Sequence, residues 1–162
     1  MSATKYTAPH MLLHWLITAL VAVQIFLAGA MEATFDAKFE HIEIGAGWSA
    51  GAIVHAILGT VIGLLMLRRL GLRLTTQILP APDGPRLFQT LSRVSHWLFY
   101  AILIAMPVAG AAAWFIPSET VGTAHAVTSK VLIGLIGLHI AGAFYHQFIA
   151  GDRSVLRRML AR

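Results

Sequence analysis

The sequence predicts an all-α integral membrane protein, a four-helix bundle with both termini on the cytoplasmic side. Of its 162 residues, 57% are hydrophobic and only 12% are charged, and the mean hydropathy is +0.74. This composition is far from that of a soluble domain. Because one helical span needs about 20 apolar residues, the chain has room for about four spans and little else. We therefore predict a single transmembrane domain over residues 1–162.

Four long apolar stretches are the predicted spans, at about residues 10–31, 48–67, 94–116 and 124–149. Acidic residues fill the first break, and prolines and arginines fill the second. In the third break, Pro117 and Ser118 are expected to end one helix, and Thr120 or Thr123 to cap the next. No stretch alternates with period 2, which disfavours a transmembrane β-barrel. In the segment of about residues 152–162, arginines alternate with apolar side chains, a pattern that predicts a short amphipathic helix on the membrane surface.

The positions of lysine and arginine predict the orientation. Of the 12 such residues, all but Lys38 and Lys130 fall on the side that holds both termini. Both termini are therefore predicted to be cytoplasmic, in a multi-pass protein of the bacterial inner membrane. The net charge of +5 indicates this bias and an attraction to anionic lipid, and nothing in it suggests binding to nucleic acid.

Buried histidines are the strongest functional signal. Six of the eight histidines lie inside apolar stretches, where an ionisable side chain is costly unless it binds something: His14, His55, His96, His125, His139 and His146. Haem iron is the binding partner that best explains these histidines. The chain has no cysteine, so covalent c-type attachment and iron–sulfur clusters are excluded, and any haem is held non-covalently.

Helical spacing arranges these histidines at two depths. His125 and His139 are 14 residues apart, which puts them within roughly 40° of one helix face and about 21 Å apart along the axis. His55 and Arg69 have the same separation, so Arg69 could pair with a haem propionate. We predict two b haems, each held by two histidines, with His55 and His125 sharing the outer one. For the inner one, spacing leaves open whether His139 or His146 partners His14.

A set of motifs along the chain resembles the bacterial cytochrome b(561) family of dihaem membrane proteins. Single motifs are weak, but their order and spacing are fairly specific, and together they cover nearly the whole chain. They are His14-Trp15, His55 with Arg69, His96-x-x-x-Tyr100 with Pro107-x-x-Gly110, His125, His139-x6-His146, and the closing segment 151–159.

The resemblance implies axial pairs of His14 with His139 and of His55 with His125, the first pair nearer the cytoplasm. It makes three further residues candidates for contacts to the cofactor or to a quinone: His96, Tyr100 and His146. Related cytochromes transfer electrons between haems and a quinone, and some oxidise superoxide at the outer haem and reduce ubiquinone. The partners expected from the resemblance are membrane lipid, ubiquinone, and superoxide or another periplasmic donor, with the chain a monomer or weak homodimer.

Lys130 is the predicted catalytic cation for superoxide. A charge inside a span needs a partner such as a propionate, and it would steer an anion to an exposed haem edge. The third loop is shorter than in superoxide-oxidising members, so a second hypothesis is an electron-relay subunit for a partner dehydrogenase. A proton or metal-ion transporter is disfavoured, because the spans lack the buried carboxylates that such relays often use.

Overall fold

The computed structural model describes residues 7–42, 50–76, 85–116 and 118–149. Within these ranges the chain is helical, with no strand, and a π-helical turn continues the fourth helix: α1 (Ala8–Phe39), α2 (Ala50–Thr75), α3 (Arg86–Phe115), α4 (Glu119–Phe144) and the turn Tyr145–Ile149. All four helices are long and apolar enough to cross a membrane, which confirms the all-α, four-span prediction. The surface helix predicted at about 152–162 lies outside the described residues.

The helices extend beyond the predicted spans. α1 continues through Glu32, Asp36 and Lys38 to Phe39, although this stretch was predicted to be a loop. Hydropathy marks the part of a helix that crosses lipid, whereas the helix itself continues until a residue breaks it. With 32 residues, α1 is about 48 Å long, more than the hydrocarbon thickness of about 30 Å.

Local chemistry fixes the helix ends. His41 has φ of 55°, a left-handed conformation typical of a helix C-terminus, and the Ile42 N–H donates to the Ala37 carbonyl at 3.0 Å. α4 is preceded by Ser118, whose hydroxyl accepts a hydrogen bond from the Val121 N–H at 3.3 Å. Ser118 is therefore the cap of α4, not Thr120 or Thr123, because it already has the extended backbone that an N-cap needs.

Helices adjacent in sequence pack side by side: α1 with α2, α2 with α3, and α3 with α4. Among the described residues, α4 makes few close backbone approaches to α1 or α2. The buried core joins all four helices through Ile17, Val21, Ile62, Met66, Tyr100, Leu103 and Leu132. α4 contributes only Leu132 to it, so other side chains must connect α4 to α1 and α2.

Many large apolar side chains point outward. Phe26 is 87% exposed, Val108 70% and Leu138 63%. Such exposure would favour aggregation in water, but it is the normal state of side chains that face lipid tails. The outward surface is therefore the membrane contact, and the polar chemistry lies between the helices.

Candidate functional site

One pair of histidines lies toward the end of the bundle where α1 ends and α4 begins, which we call the outer end. The ring centres of His55 on α2 and His125 on α4 are 6.4 Å apart, with an angle of 61° between the ring planes. Nδ1 of His55 is buried and has no hydrogen-bond partner, whereas the His125 ring lies within hydrogen-bonding reach of the Met106 backbone. A Cβ built on Gly110 of α3 would lie 3.2 Å from Cε1 of His125. The α3 backbone is thus packed directly against this ring.

A second pair lies toward the opposite, inner end. The ring centres of His14 on α1 and His139 on α4 are also 6.4 Å apart, at an angle of 67°. Nη1 of Arg69 lies 2.9 Å from Nδ1 of His14. Because a guanidinium only donates, Nδ1 accepts this bond, and the hydrogen of the neutral ring lies on Nε2. Binding of a metal at Nε2 would require this hydrogen to move to Nδ1 and Arg69 to turn to another acceptor. The rings of His96 and Phe99 each stand edge-on to His139, at 5.3 Å between centres.

The spacing of the two pairs is wider than a direct hydrogen bond and leaves room for a metal ion. A hydrogen bond between two imidazoles would bring their ring centres to about 5 Å. Two metal–nitrogen bonds of about 2 Å each, with the half-widths of two five-membered rings, give about 6 Å. Both pairs match the second value. The donor set and its spacing therefore fit one metal ion per pair.

The number of ligands narrows the kind of metal. Within the described ranges, no group of three or more His, Cys, Asp or Glu side chains could hold a metal ion. A zinc site takes three or four protein ligands, whereas haem iron already has four porphyrin nitrogens and needs only axial ligands. Two histidines from separate helices at this ring separation fit haem.

Comparison with known proteins agrees with this geometry. Residues 5–162 match the family described as prokaryotic cytochrome b561. The chain belongs to this family. The resemblance inferred from the motifs is thereby confirmed, and with four spans the chain is a multi-pass protein of the bacterial inner membrane. Membership implies b-type haem and haem-based electron transfer across the membrane.

Two relatives match nearly the full length of this cytochrome. Cytochrome b562 of Cereibacter sphaeroides is 28% identical over 158 residues, which cover 97% of this chain and 96% of the relative. A probable superoxide oxidase, CybB of Yersinia pestis, is 25% identical over 182 aligned positions, with 96% of each chain covered. That alignment is longer than the 162 residues of this cytochrome, so it includes stretches of CybB without a counterpart here.

The structure brings His139, rather than His146, to His14. His146 lies in the π-helical turn, with its ring 6.3 Å from that of Phe88 and 5.7 Å from that of Tyr145. Seven residues after His139, His146 would share its helix face in a regular α-helix. The wider π-helical turn changes this direction.

The other predicted residues fall into two groups. Arg69 and His96 adjoin the inner pair, as described above, and Tyr100 is buried in the core, with its ring 5.9 Å from that of Trp97. Lys130 is exposed and five residues from His125, the α4 member of the outer pair, which turns it about 140° away from that histidine around α4. Its predicted contact with a propionate stays a prediction, one that this placement does not favour.

Three side chains near the site were missed from the sequence. Nε2 of Gln24 donates to the His55 carbonyl at 2.9 Å, Phe99 contacts His139, and Arg73 lies over Trp97 and Tyr100. A lone amide inside an apolar span was an available signal for Gln24, because such groups need partners. The sequence offered no such signal for Phe99, since phenylalanine is common in apolar helices.

Proposed function

We propose that this cytochrome holds two b haems and uses them to transfer electrons from superoxide, or another periplasmic donor, to ubiquinone. His55 and His125 would bind the outer haem, and His14 and His139 the inner one. A single observation carries the proposal: two separate cross-helix pairs of imidazoles have the same ring separation of 6.4 Å, which matches two bonds to an intervening iron.

Each pair would complete the coordination of its iron from both sides. With two histidines to each iron, neither site would leave a position for dioxygen to bind, which would favour electron transfer over oxygen chemistry. When bound, each haem supplies a centre that accepts and returns one electron. The apolar core between the two levels excludes water, and the Gln24 amide holds α1 to the backbone of His55.

The residues around the inner histidine pair support an electron-acceptor site at the inner end of the bundle. The ring of His96 contacts that of His139, and Arg69 bonds His14, so both predicted contact residues reach the inner pair. Arg69 carries a charge that can bind a propionate or a quinone oxygen. Two superoxide ions give up one electron each and become dioxygen, and ubiquinone takes both electrons with two protons to become ubiquinol.

The relative named as a probable superoxide oxidase supports superoxide as the donor. A second candidate, an electron-relay subunit for a partner dehydrogenase, is favoured by the outer connection between α3 and α4. Only residues 116–118 separate these helices, and the alignment with CybB includes stretches that this chain lacks. A short connection offers few side chains to shape a site for superoxide.

Haem stoichiometry tests the proposal. The purified protein, reduced with dithionite, should give b-type absorption bands and about two haems per chain. His55→Ala and His125→Ala should each leave about one haem, and the double variant should also leave one, because both histidines serve the same iron. His14→Ala and His139→Ala should behave alike for the other haem.

His146→Ala is the matched control, since His146 also lies in the membrane but adjoins Phe88 and Tyr145 instead of another pair member. It should retain both haems. The proposal is wrong if the wild-type protein binds no haem, or if His55→Ala and His125→Ala remove different haems.

Rapid mixing distinguishes the two candidate functions. The oxidised protein is mixed with a superoxide source and a soluble ubiquinone analogue while haem absorbance is followed. Reduction at a rate near the diffusion limit supports the self-contained enzyme, and no reduction supports the relay subunit. Lys130→Gln in the same assay tests the predicted steering role, which requires a slower reaction with superoxide at unchanged haem content.

A further inference from the structure

The last turns of α1 contact the outer ends of both α3 and α4. Nζ of Lys38 donates to the Trp114 carbonyl at 2.6 Å and lies 4.0 Å from the centre of the Trp114 ring. Three residues earlier, Phe35 packs against α4, because a Cβ built on Gly122 would lie 2.7 Å from the Phe35 ring. Residues three apart share a helix face. One face of α1 therefore bridges the two helices whose packing surrounds the His125 ring.

These two contacts hold Lys38 just outward of the outer histidine pair. Trp114 is four residues after Gly110, whose Cβ position lies 3.2 Å from the His125 ring. The Trp114 carbonyl is therefore about 6 Å further outward along α3. Gly122 is three residues before His125, about 4.5 Å further outward along α4. The Lys38 ammonium is thus about one helical turn closer to the outer surface than the histidine.

The charges at this end of α1 point in different directions. Lys38 is half-buried, whereas three carboxylates of the same stretch are exposed: Glu32, Asp36 and Glu40. The carboxylates are four residues apart and form one stripe, and Lys38 is turned about 120° or more away from each of them. In the part of the chain that the structure describes, no carboxylate pairs with Lys38. An ammonium has three donors, so this inward-facing cation can bind an anion inside the bundle.

A b haem at the outer pair would bring such an anion. Its propionates are carboxylates at one edge of the porphyrin, and a carboxylate in an apolar interior needs a cation or water. Across the described ranges, Lys38 is the one lysine or arginine outward of His125. Lys130 lies five residues inward of His125 and is exposed. Lys38 is therefore better placed than Lys130 to meet a propionate directed toward the outer surface.

We propose that Lys38 binds a propionate of the outer haem and so holds the porphyrin in one orientation. The inference rests on the proposed function, which assigns His55 and His125 to the iron and leaves the propionates of that haem without a partner. Lys38 would then connect three elements, because the same ammonium would bond the cofactor and join α1 to the end of α3.

A purely structural role for Lys38 makes a different prediction. Trp114 is among the last four residues of α3, whose carbonyls have no partner within the helix, and Lys38 supplies a donor to one of them. That role requires a hydrogen-bond donor but no positive charge. The propionate contact requires the charge.

The redox equilibrium of the outer haem separates the two roles. Lys38→Gln keeps a donor for the Trp114 carbonyl but removes the charge. In the haem-loaded protein it should shift the outer haem about tenfold toward the oxidised form, because the propionate would no longer be balanced. This is the effect of one charge several ångströms away at the effective dielectric constant of protein. Lys38→Arg keeps the charge and should behave like the wild type. His55→Ala identifies the outer haem as the one that it removes.

Asp36→Asn is the matched control, because Asp36 is also charged, lies two residues from Lys38 and is exposed. Solvent screens its charge, so the redox equilibrium should change less than about twofold. Reduced-minus-oxidised infrared spectra give a second readout. The carboxylate bands of the propionates should shift in Lys38→Gln and stay in place in Asp36→Asn and Lys38→Arg.

Haem content decides the remaining outcomes. Loss of the outer haem alone in Lys38→Gln, with the inner haem retained, also supports the contact, whereas loss of both haems shows a structural role and contradicts it. The inference is wrong if Lys38→Gln leaves the redox equilibrium and the carboxylate bands unchanged. It is equally wrong if Asp36→Asn gives an opposite shift of the same size, since the effect is then a general field. Absence of haem from the wild-type protein instead overturns the proposed function.

Discussion

The inner and outer histidine pairs have the same ring separation but different surroundings. At the outer pair, Nδ1 of His55 is buried without a hydrogen-bond partner, and the α3 backbone comes close to His125 through Met106 and Gly110. At the inner pair, Arg69 bonds His14, and two further rings press against His139. One pair is held by close packing and the other by charge and aromatic contacts.

The different surroundings are expected to change the redox potentials of the two sites more than their ability to bind iron. The ring separation determines whether iron can be bound, and it is equal in the two pairs. The surroundings tune the redox potential, because charge and hydrogen bonds around the ligands stabilise one oxidation state over the other. The Arg69 cation would favour the reduced state of a haem bound at the inner pair. We therefore expect the inner haem to have the higher potential, which would draw electrons inward.

The variant with the largest expected effect disrupts the close packing at the outer pair. Gly110→Leu should displace the His125 ring, since even a Cβ would lie 3.2 Å from it, and haem content should fall from about two to about one per chain. Gly134→Leu is the control, because a Cβ at Gly134 meets no atom within 4 Å. Retention of both haems in Gly110→Leu would contradict the proposed outer site.

The next effect concerns charge at the inner pair. Arg69→Gln should lower the midpoint potential of the inner haem by tens of millivolts and leave the outer one unchanged. One charge several ångströms away is worth about 1–2 kcal/mol at the effective dielectric constant of protein. A redox titration followed by haem absorbance measures both potentials. Arg68→Gln is the control. If Arg69→Gln shifts the midpoint potentials of both haems equally, the two pairs do not differ as proposed.

The smallest effect concerns the bond between α1 and α2 beside the outer pair. Gln24→Leu removes the hydrogen bond to the His55 carbonyl and should lower the free energy of unfolding by about 1 kcal/mol. Thermal unfolding in detergent measures this. Thr60→Val is the control, since the Thr60 hydroxyl donates only within its own helix, to Ala56. If the two variants are equally stable, the Gln24 bond does not hold the helices together.

Sequence alone could predict the spans and the ligand candidates because both signals are local. Runs of apolar residues identify lipid-crossing helices, and histidines inside them are conspicuous because of their desolvation cost. The ends of the helices were less predictable. Glu32 and Asp36 show where the apolar part of the first span ends. No residue in that stretch breaks a helix, however, so α1 continues to Phe39.

The choice between His139 and His146, and the neighbours of each pair, required tertiary structure. Both histidines lie at similar angles on a regular α-helix, so periodicity cannot separate them. The π-helical turn at Tyr145–Ile149 and the packing that brings His14 of α1 to His139 of α4 decide the outcome. Thus the sequence by itself determined an all-α membrane bundle rich in buried histidines. Only packing among distant segments decided which imidazoles meet, because that depends on distances between helices, which no local pattern contains.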